Sequence, residues 1–198
     1  MPRADLPRIH TKTDPRVFAY LDECCNRTCH PVGWYRHAKK RGMRFGERKG
    51  EPTTFKGLGN AETLGKRHCP IDTAGYSTPK RLRPNDYLTD TLMDVTINSH
   101  ELSKCDGAML SSLAAQTTMG LVKDVEAGTC YMKDEDVWVQ LYAVAGSSLR
   151  AIVLFDPERA RRATLTSENV IDSSSSEESS IPYRPRDRPG SYDNLSLI

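Results

Sequence analysis

Apolar positions in this chain come in short runs separated by long polar stretches, and their spacing alternates between strand-like and helix-like. Val17 to Leu21 form a continuous apolar run that Asp22 closes, which predicts a strand over 16–21. From Val32 to Met43 the apolar positions Trp34, Tyr35, Ala38 and Met43 are spaced for a helix, placed at about 33–43. Residues 53–59 read as a short strand ending in glycines, and 65–72 as a second, weaker strand. The stretch 74–90 carries Pro79 and Pro84 among polar residues and reads as an irregular loop. Residues 91–97 are β-branched and apolar, bounded by Asn98 and Ser99, and predict a good strand. Leu110, Leu113, Ala114 and Thr117 then share one helical face, predicting a short helix over 110–119 with Gly120 as its C-cap. Three strand-like runs follow at 129–133, 137–144 and 149–155. Ala127-Gly128 and Ala145-Gly146-Ser147 punctuate them as turns, and Asp156-Pro157 ends the ordered pattern. No internal repeat is visible.

Composition narrows the layout. The chain has 198 residues, of which only 37% are hydrophobic, with a mean hydropathy of −0.58. That is room for one domain, provided much of the polar content sits in tails. Residues 1–15, with Pro2, Pro7 and Pro15, read as a flexible arm. Residues 157–198 contain a Ser/Glu block at 173–180 and then Pro182, Pro185 and Pro189. Such a segment cannot bury enough apolar area to offset its ordering entropy, so a disordered tail is expected. One domain over 16–156 remains.

Charge excludes more than it suggests. The 28 basic and 26 acidic residues leave a net charge of +2, which creates no general field for nucleic acid or a membrane surface. Basic residues do cluster at 36–50, but only Trp34, Tyr35 and Phe45 lie among or beside them. This reads as a solvated face, and a nucleic-acid contact is not expected. The chain has no apolar run long enough for a membrane helix and no apolar stretch near Met1 typical of a secretory signal. The expectation is therefore an intracellular, cytoplasmic protein whose six cysteines are mostly reduced, with no disulfide framework.

Two segments carry candidate chemistry. In the first, the apolar run delivers Asp22, followed by Glu23, Cys24, Cys25, Asn26, Arg27 and Thr28. In the second, Met109-Leu110-Ser111 leads into the predicted helix, and Leu121 to Lys133 follows as a hairpin-like run. In this order the two resemble the retropepsin-like aspartic protease domain, in the divergent form found in retrotransposon polyproteins. There an Asp-x-x-Cys-Asn-x-Thr pattern occurs that Asp22, Cys25, Asn26 and Thr28 match. The resemblance covers roughly residues 16–156. It implies a mostly β, closed-barrel fold with one or two short helices, acting as a homodimer that contributes one Asp per protomer. Asp22 would be catalytic, Gly57 and Gly59 would belong to a flap over a peptide or polyprotein substrate, and no cofactor would be needed.

In such a site two carboxylates brought close by a two-fold axis cannot both ionise, so they share a proton. The ionised one activates water as general base and the protonated one polarises the peptide carbonyl. This chain departs from the family's Asp-Thr/Ser-Gly triplet. Glu23 stands where a hydroxyl braces the loop, Cys24 where a glycine turns it, and Ser111 replaces the glycine before the helix. The departures leave a second reading open: a catalytically inactive dimerisation or peptide-binding module on the same fold.

Other constellations compete. Asp72-Thr73-Ala74-Gly75 is a second candidate for the catalytic triplet, although only Ile71 prepares it with apolar character. Cys24, Cys25, Cys29 and His30 crowd into seven residues and could hold a zinc ion in a small interaction protein, with buried apolar thiols as the alternative. Gly57-Leu58-Gly59 lacks the further glycine and the helix of a phosphate loop.

Overall fold

The computed structural model describes residues 6–10, 13–55, 61–76, 95–104 and 107–161. The protein is mostly β. Its strands are β1 (Arg8–Ile9), β2 (Val17–Asp22), β3 (Cys29–Pro31), β4 (Thr53–Phe55), β5 (Ala61–Ile71), β6 (Val95–Leu102), β7 (Met109–Ser112), β8 (Leu121–Asp124), β9 (Thr129–Met132), β10 (Val137–Gln140), β11 (Tyr142–Val144) and β12 (Arg150–Phe155). Among the described residues two short helices interrupt them, α1 (Val32–Lys40) and α2 (Leu113–Thr118). No helix among the described residues is long and apolar enough to cross a membrane.

Nine strands form one sheet in the order β1-β11-β12-β2-β7-β3-β6-β5-β4, and β10-β9-β8 form a second. Among the described residues the expected closed barrel is not present as a continuous ladder, since strand pairing leaves β1 and β4 at the ends. The large sheet nevertheless curls back on itself. Asp72, just past β5, bridges Phe155 of β12, and its N–H donates to the Leu154 carbonyl at 2.7 Å. The ring β12-β2-β7-β3-β6-β5 therefore meets at a single bridge. A further bridge, Tyr76 to Trp138, ties the chain after β5 to the second sheet.

The unbroken apolar runs of β2 and β12 follow from cover on both faces. Side chains alternate across a strand. Val17, Ala19 and Leu21 point into the main core with Met109, Ile152 and Leu154, while Phe18 joins Ile9, Val144, Ala151 and Val153 in a second cluster. Ile9 is only 1% exposed, and β1 lies parallel to β11, so part of the expected flexible arm is docked.

Helix α1 covers the main core with Trp34 and Ala38, one turn apart, and the Trp34 indole donates to the Phe18 carbonyl at 3.2 Å. Its end is chemically marked. Gly42 takes a positive φ of 99°, its N–H reaches the Lys39 carbonyl, and the Met43 N–H reaches back to the Ala38 carbonyl. That pair of bonds satisfies carbonyls the helix would leave open and drops Met43 into the core.

Several boundaries differ from the sequence reading, each for a physical reason. Residues 109–112 are strand, because β7 pairs in parallel with β2 and Leu110 also pairs with Cys29 of β3. The helical face that included Leu110 thus begins only at Leu113, while Gly120 terminates the turn with a φ of 61° as expected. The run 137–144 divides at Leu141, whose N–H leaves the ladder for the Gly128 carbonyl. The weak strand at 65–72 is the second half of an eleven-residue strand that shifts register between Thr63 and Lys66, where Gly65 sits at a φ of 119°. Residues 157–161 add a helical turn beyond the expected end of order. The expected flap glycines Gly57 and Gly59, the loop positions 77–90, the strand start at 91–94 and the tail from 162 on lie outside the described residues.

Candidate functional site

The register of β2 and β7 brings the two segments of interest together. Asp22 stands opposite Ser112, the last residue of β7 and the N-cap of α2. Asp22 is half-buried, while Glu23, Cys24, Asn26 and Arg27 of the loop after it are exposed. The Cys24 N–H donates to the Asp22 Oδ1 at 3.0 Å, and the Cys25 N–H reaches the Asp22 carbonyl at 3.4 Å. The carboxylate therefore organises its own turn, as a short acidic side chain does.

The far end of the loop is anchored by Thr28. Its hydroxyl lies 3.0 Å from the Ser112 hydroxyl and accepts the Ser112 N–H at 3.1 Å, and both residues are buried. The Ser112 Oγ in turn accepts the Ala115 N–H at 3.2 Å, which caps α2. The Thr28 carbonyl takes the His100 N–H of β6 at 2.9 Å. One hydroxyl thus ties the Asp22 loop, β7 and α2 to each other.

The departures from the family triplet find local accommodation. Among the described non-glycine residues only Asp136 has a positive φ, so Cys24 needs no glycine-like backbone. Glu23 is ion-paired with Lys123 of β8, and Lys123 also donates to the Gln116 Oε1 at 3.0 Å. Gln116 then donates to the Ser111 carbonyl at 2.8 Å. Glu23 is held across to the second sheet, with its charge matched there.

Asp72 is placed differently. It follows β5, and its carboxylate lies 3.5 Å from Arg159 of the last helical turn. Gly75 in the same stretch packs so closely that an added Cβ would sit 2.7 Å from the Val137 Cβ. These residues fasten the end of β5 to β12 and β10, a structural duty.

The Cys/His group does not converge. Cys24 is exposed, Cys25 is half-buried, and Cys29 packs with Leu102, Cys25 and Leu110. His30, next along the strand, enters a separate buried polar group. Its Nδ1 lies 2.7 Å from the Ser99 Oγ and its Nε2 3.8 Å from the Glu101 carboxylate. Glu101 also pairs with Arg67 and, at 3.4 Å, with Arg48. Tyr35 stacks under Arg67 at 4.2 Å. Burial holds the His30 imidazole down at about 4; Glu101 opposes that shift and Arg67 adds to it. No three His, Cys, Asp or Glu side chains among the described residues are grouped to hold a metal ion.

Sequence reading missed Ser112, Lys123, Ser99 and Glu101. Ser112 carries a usable signal, a serine directly before a helical apolar pattern. The others carry none, since their partners lie far away in the chain.

No protein-family model, curated protein or solved structure matches this chain.

Proposed function

We propose that this chain is a retropepsin-like aspartic endopeptidase domain, acting as a homodimer that hydrolyses peptide bonds in a polyprotein of retrotransposon type. The observation that carries the reading is the pairing of Asp22 with Ser112. An apolar strand ends in a partly exposed carboxylate, and the strand parallel to it runs straight into a capped short helix. The near-closure of the large sheet between Asp72 and Phe155 supports the barrel that such a domain would have.

Each copy supplies one Asp22. Across a two-fold axis the two carboxylates share one proton, because like charges at close range cannot both be ionised. The ionised Asp22 takes a proton from water as it attacks the carbonyl carbon, and the protonated one donates to the carbonyl oxygen. Pairing of Glu23 with Lys123 keeps an extra unmatched charge from adding to this repulsion. The Thr28–Ser112 tie holds the carboxylate at a fixed depth.

The test is cleavage of a mixed peptide library from about pH 4 to 7, the range in which a shared-proton dyad works. Turnover by the native chain that disappears in a folded Asp22→Asn variant supports the reading. A folded dimer that binds peptides and cuts none would instead establish the inactive binding module.

A further inference from the structure

The second sheet turns one face to the core and the other outward. Side chains alternate across a strand, so with Cys130, Met132, Val137 and Val139 in the main core, Tyr131 and Trp138 point the other way. The register sets them in one cross-strand row with Val122 of β8, since Val122 pairs with Tyr131 and Tyr131 with Trp138. The two rings meet at 4.9 Å between centroids, both half-buried, and Val122 is 44% exposed. Carboxylates border this row. The Tyr131 hydroxyl donates to the Asp136 Oδ1 at 2.7 Å, and Asp124, two residues beyond Val122 in β8, shares its face. Residues 124–136 hold the carboxylates of Asp124, Glu126, Asp134, Glu135 and Asp136 against the single cation Lys133. None of these carboxylates is in an ion pair among the described residues.

Elsewhere the chain supplies its own cation to paired rings. Arg16 lies 4.8 Å from the Tyr142 ring that meets Phe18, and Arg67 lies 4.2 Å from the Tyr35 ring that meets Phe45. Among the described residues no cation lies over Tyr131 or Trp138. We propose that this face docks a basic segment of a partner polypeptide, with an arginine guanidinium over the Tyr131 and Trp138 rings and its N–H groups donating to Asp136. A planar guanidinium can stack on a ring while its edge meets a carboxylate, which a lysine ammonium cannot do. Tyr131 engages the Asp136 Oδ1, and the Oδ2 is left to accept from the guanidinium in a charge-assisted bond. The same carboxylates repel phosphate, so nucleic acid and anionic lipid do not fit this face. The surface does not include Asp22, and the proposal holds whether or not the chain cleaves peptides.

The experiment follows the Trp138 indole N–H of the full chain by proton–nitrogen correlation NMR, with the signal assigned by Trp138→Phe. The probe is an acetylated, amidated peptide that alternates glycine and arginine. One control peptide replaces arginine by citrulline, which keeps the planar shape without the charge, and another replaces it by glutamate. Cellohexaose serves as a neutral ligand that stacks on aromatic rings. The arginine peptide is expected to shift the indole signal in a saturable way that none of the controls reproduces at the same concentration. Asp136 has a positive φ of 53°, a conformation that asparagine also tolerates, and an asparagine side-chain oxygen can still accept from Tyr131. Asp136→Asn should therefore fold normally, and it is expected to weaken the arginine peptide by about tenfold, the loss of a hydrogen bond to a charged group. No shift with the arginine peptide, an equal shift with any control, or unchanged affinity in Asp136→Asn would each overturn the proposal.

Discussion

Replacing Thr28 by Val tests the tie at the centre of the site, because valine keeps the shape and removes only the hydroxyl. In the native protein that hydroxyl meets the Ser112 Oγ at 3.0 Å and accepts the Ser112 N–H at 3.1 Å. Thr28 is 5% exposed and Ser112 2%, so water cannot replace the lost partner cheaply. Leaving a buried backbone N–H without an acceptor costs about 1–3 kcal/mol, and the hydroxyl pair contributes roughly 1 kcal/mol more. The expected loss is about 2–4 kcal/mol, or roughly 4–16 °C in Tm for a domain of this size. Urea unfolding followed by the fluorescence of the buried Trp34 measures it. Thr28→Ser, which keeps the oxygen, should recover more than half of the loss. A double-mutant cycle with Ser112→Ala should show coupling of about 1 kcal/mol, since the two residues share one network. Strict additivity, or a Thr28→Val midpoint equal to the native one, would refute the claim that this hydroxyl joins the loop to α2.

Other consequences are equally direct. His30 has a folded pKa of about 4 against an ordinary 6.5, so between those values the unfolded chain binds the extra proton and stability falls as pH drops. The full effect is about 3 kcal/mol, present above pH 6.5 and lost towards pH 4, and urea midpoints for His30→Gln should show a flatter pH dependence than the native chain. An identical slope in that variant would assign the acid sensitivity elsewhere. Glu101→Gln strips the buried carboxylate from Arg67 and Arg48, and the expected cost is about 3–5 kcal/mol by thermal melting. A change under about 1 kcal/mol would mean that the network is solvated. Burial pushes the Cys69 and Cys130 thiols up to about 12, whereas Cys24 is exposed. A thiol reagent should therefore label Cys24 in the folded protein and reach Cys69 and Cys130 only after unfolding, as peptide mass mapping would show.

How far the sequence spoke depended on whether a signal was local. The strand at Val17–Asp22 and the helix with Trp34 and Ala38 were legible because burial on defined faces leaves a periodic trace. Gly120 was legible as a cap because a left-handed backbone favours glycine. The strand character of Met109–Ser112 was not, because it comes from parallel pairing with β2, a partner far back in the chain. The length of β5 was hidden by Gly65 and Pro70, residues that usually argue against a strand interior and here fall at a register shift and within the ladder to β6. At the site, Asp22 and Thr28 could be singled out, but the hydroxyl contact with Ser112 could not. Glu23 also reads differently in the fold. In sequence it adds a carboxylate next to Asp22, whereas in three dimensions it is the partner of Lys123.

The most direct test of a shared-carboxylate site is a subunit-mixing experiment. Native chain and Asp22→Asn chain are unfolded together in varying ratio, refolded, and assayed on one cleavable peptide at constant total protein. If each site needs an ionised and a protonated Asp22 from different copies, activity should fall as the square of the native fraction. Activity that falls in simple proportion to that fraction, or that persists with Asp22→Asn alone, would contradict the account.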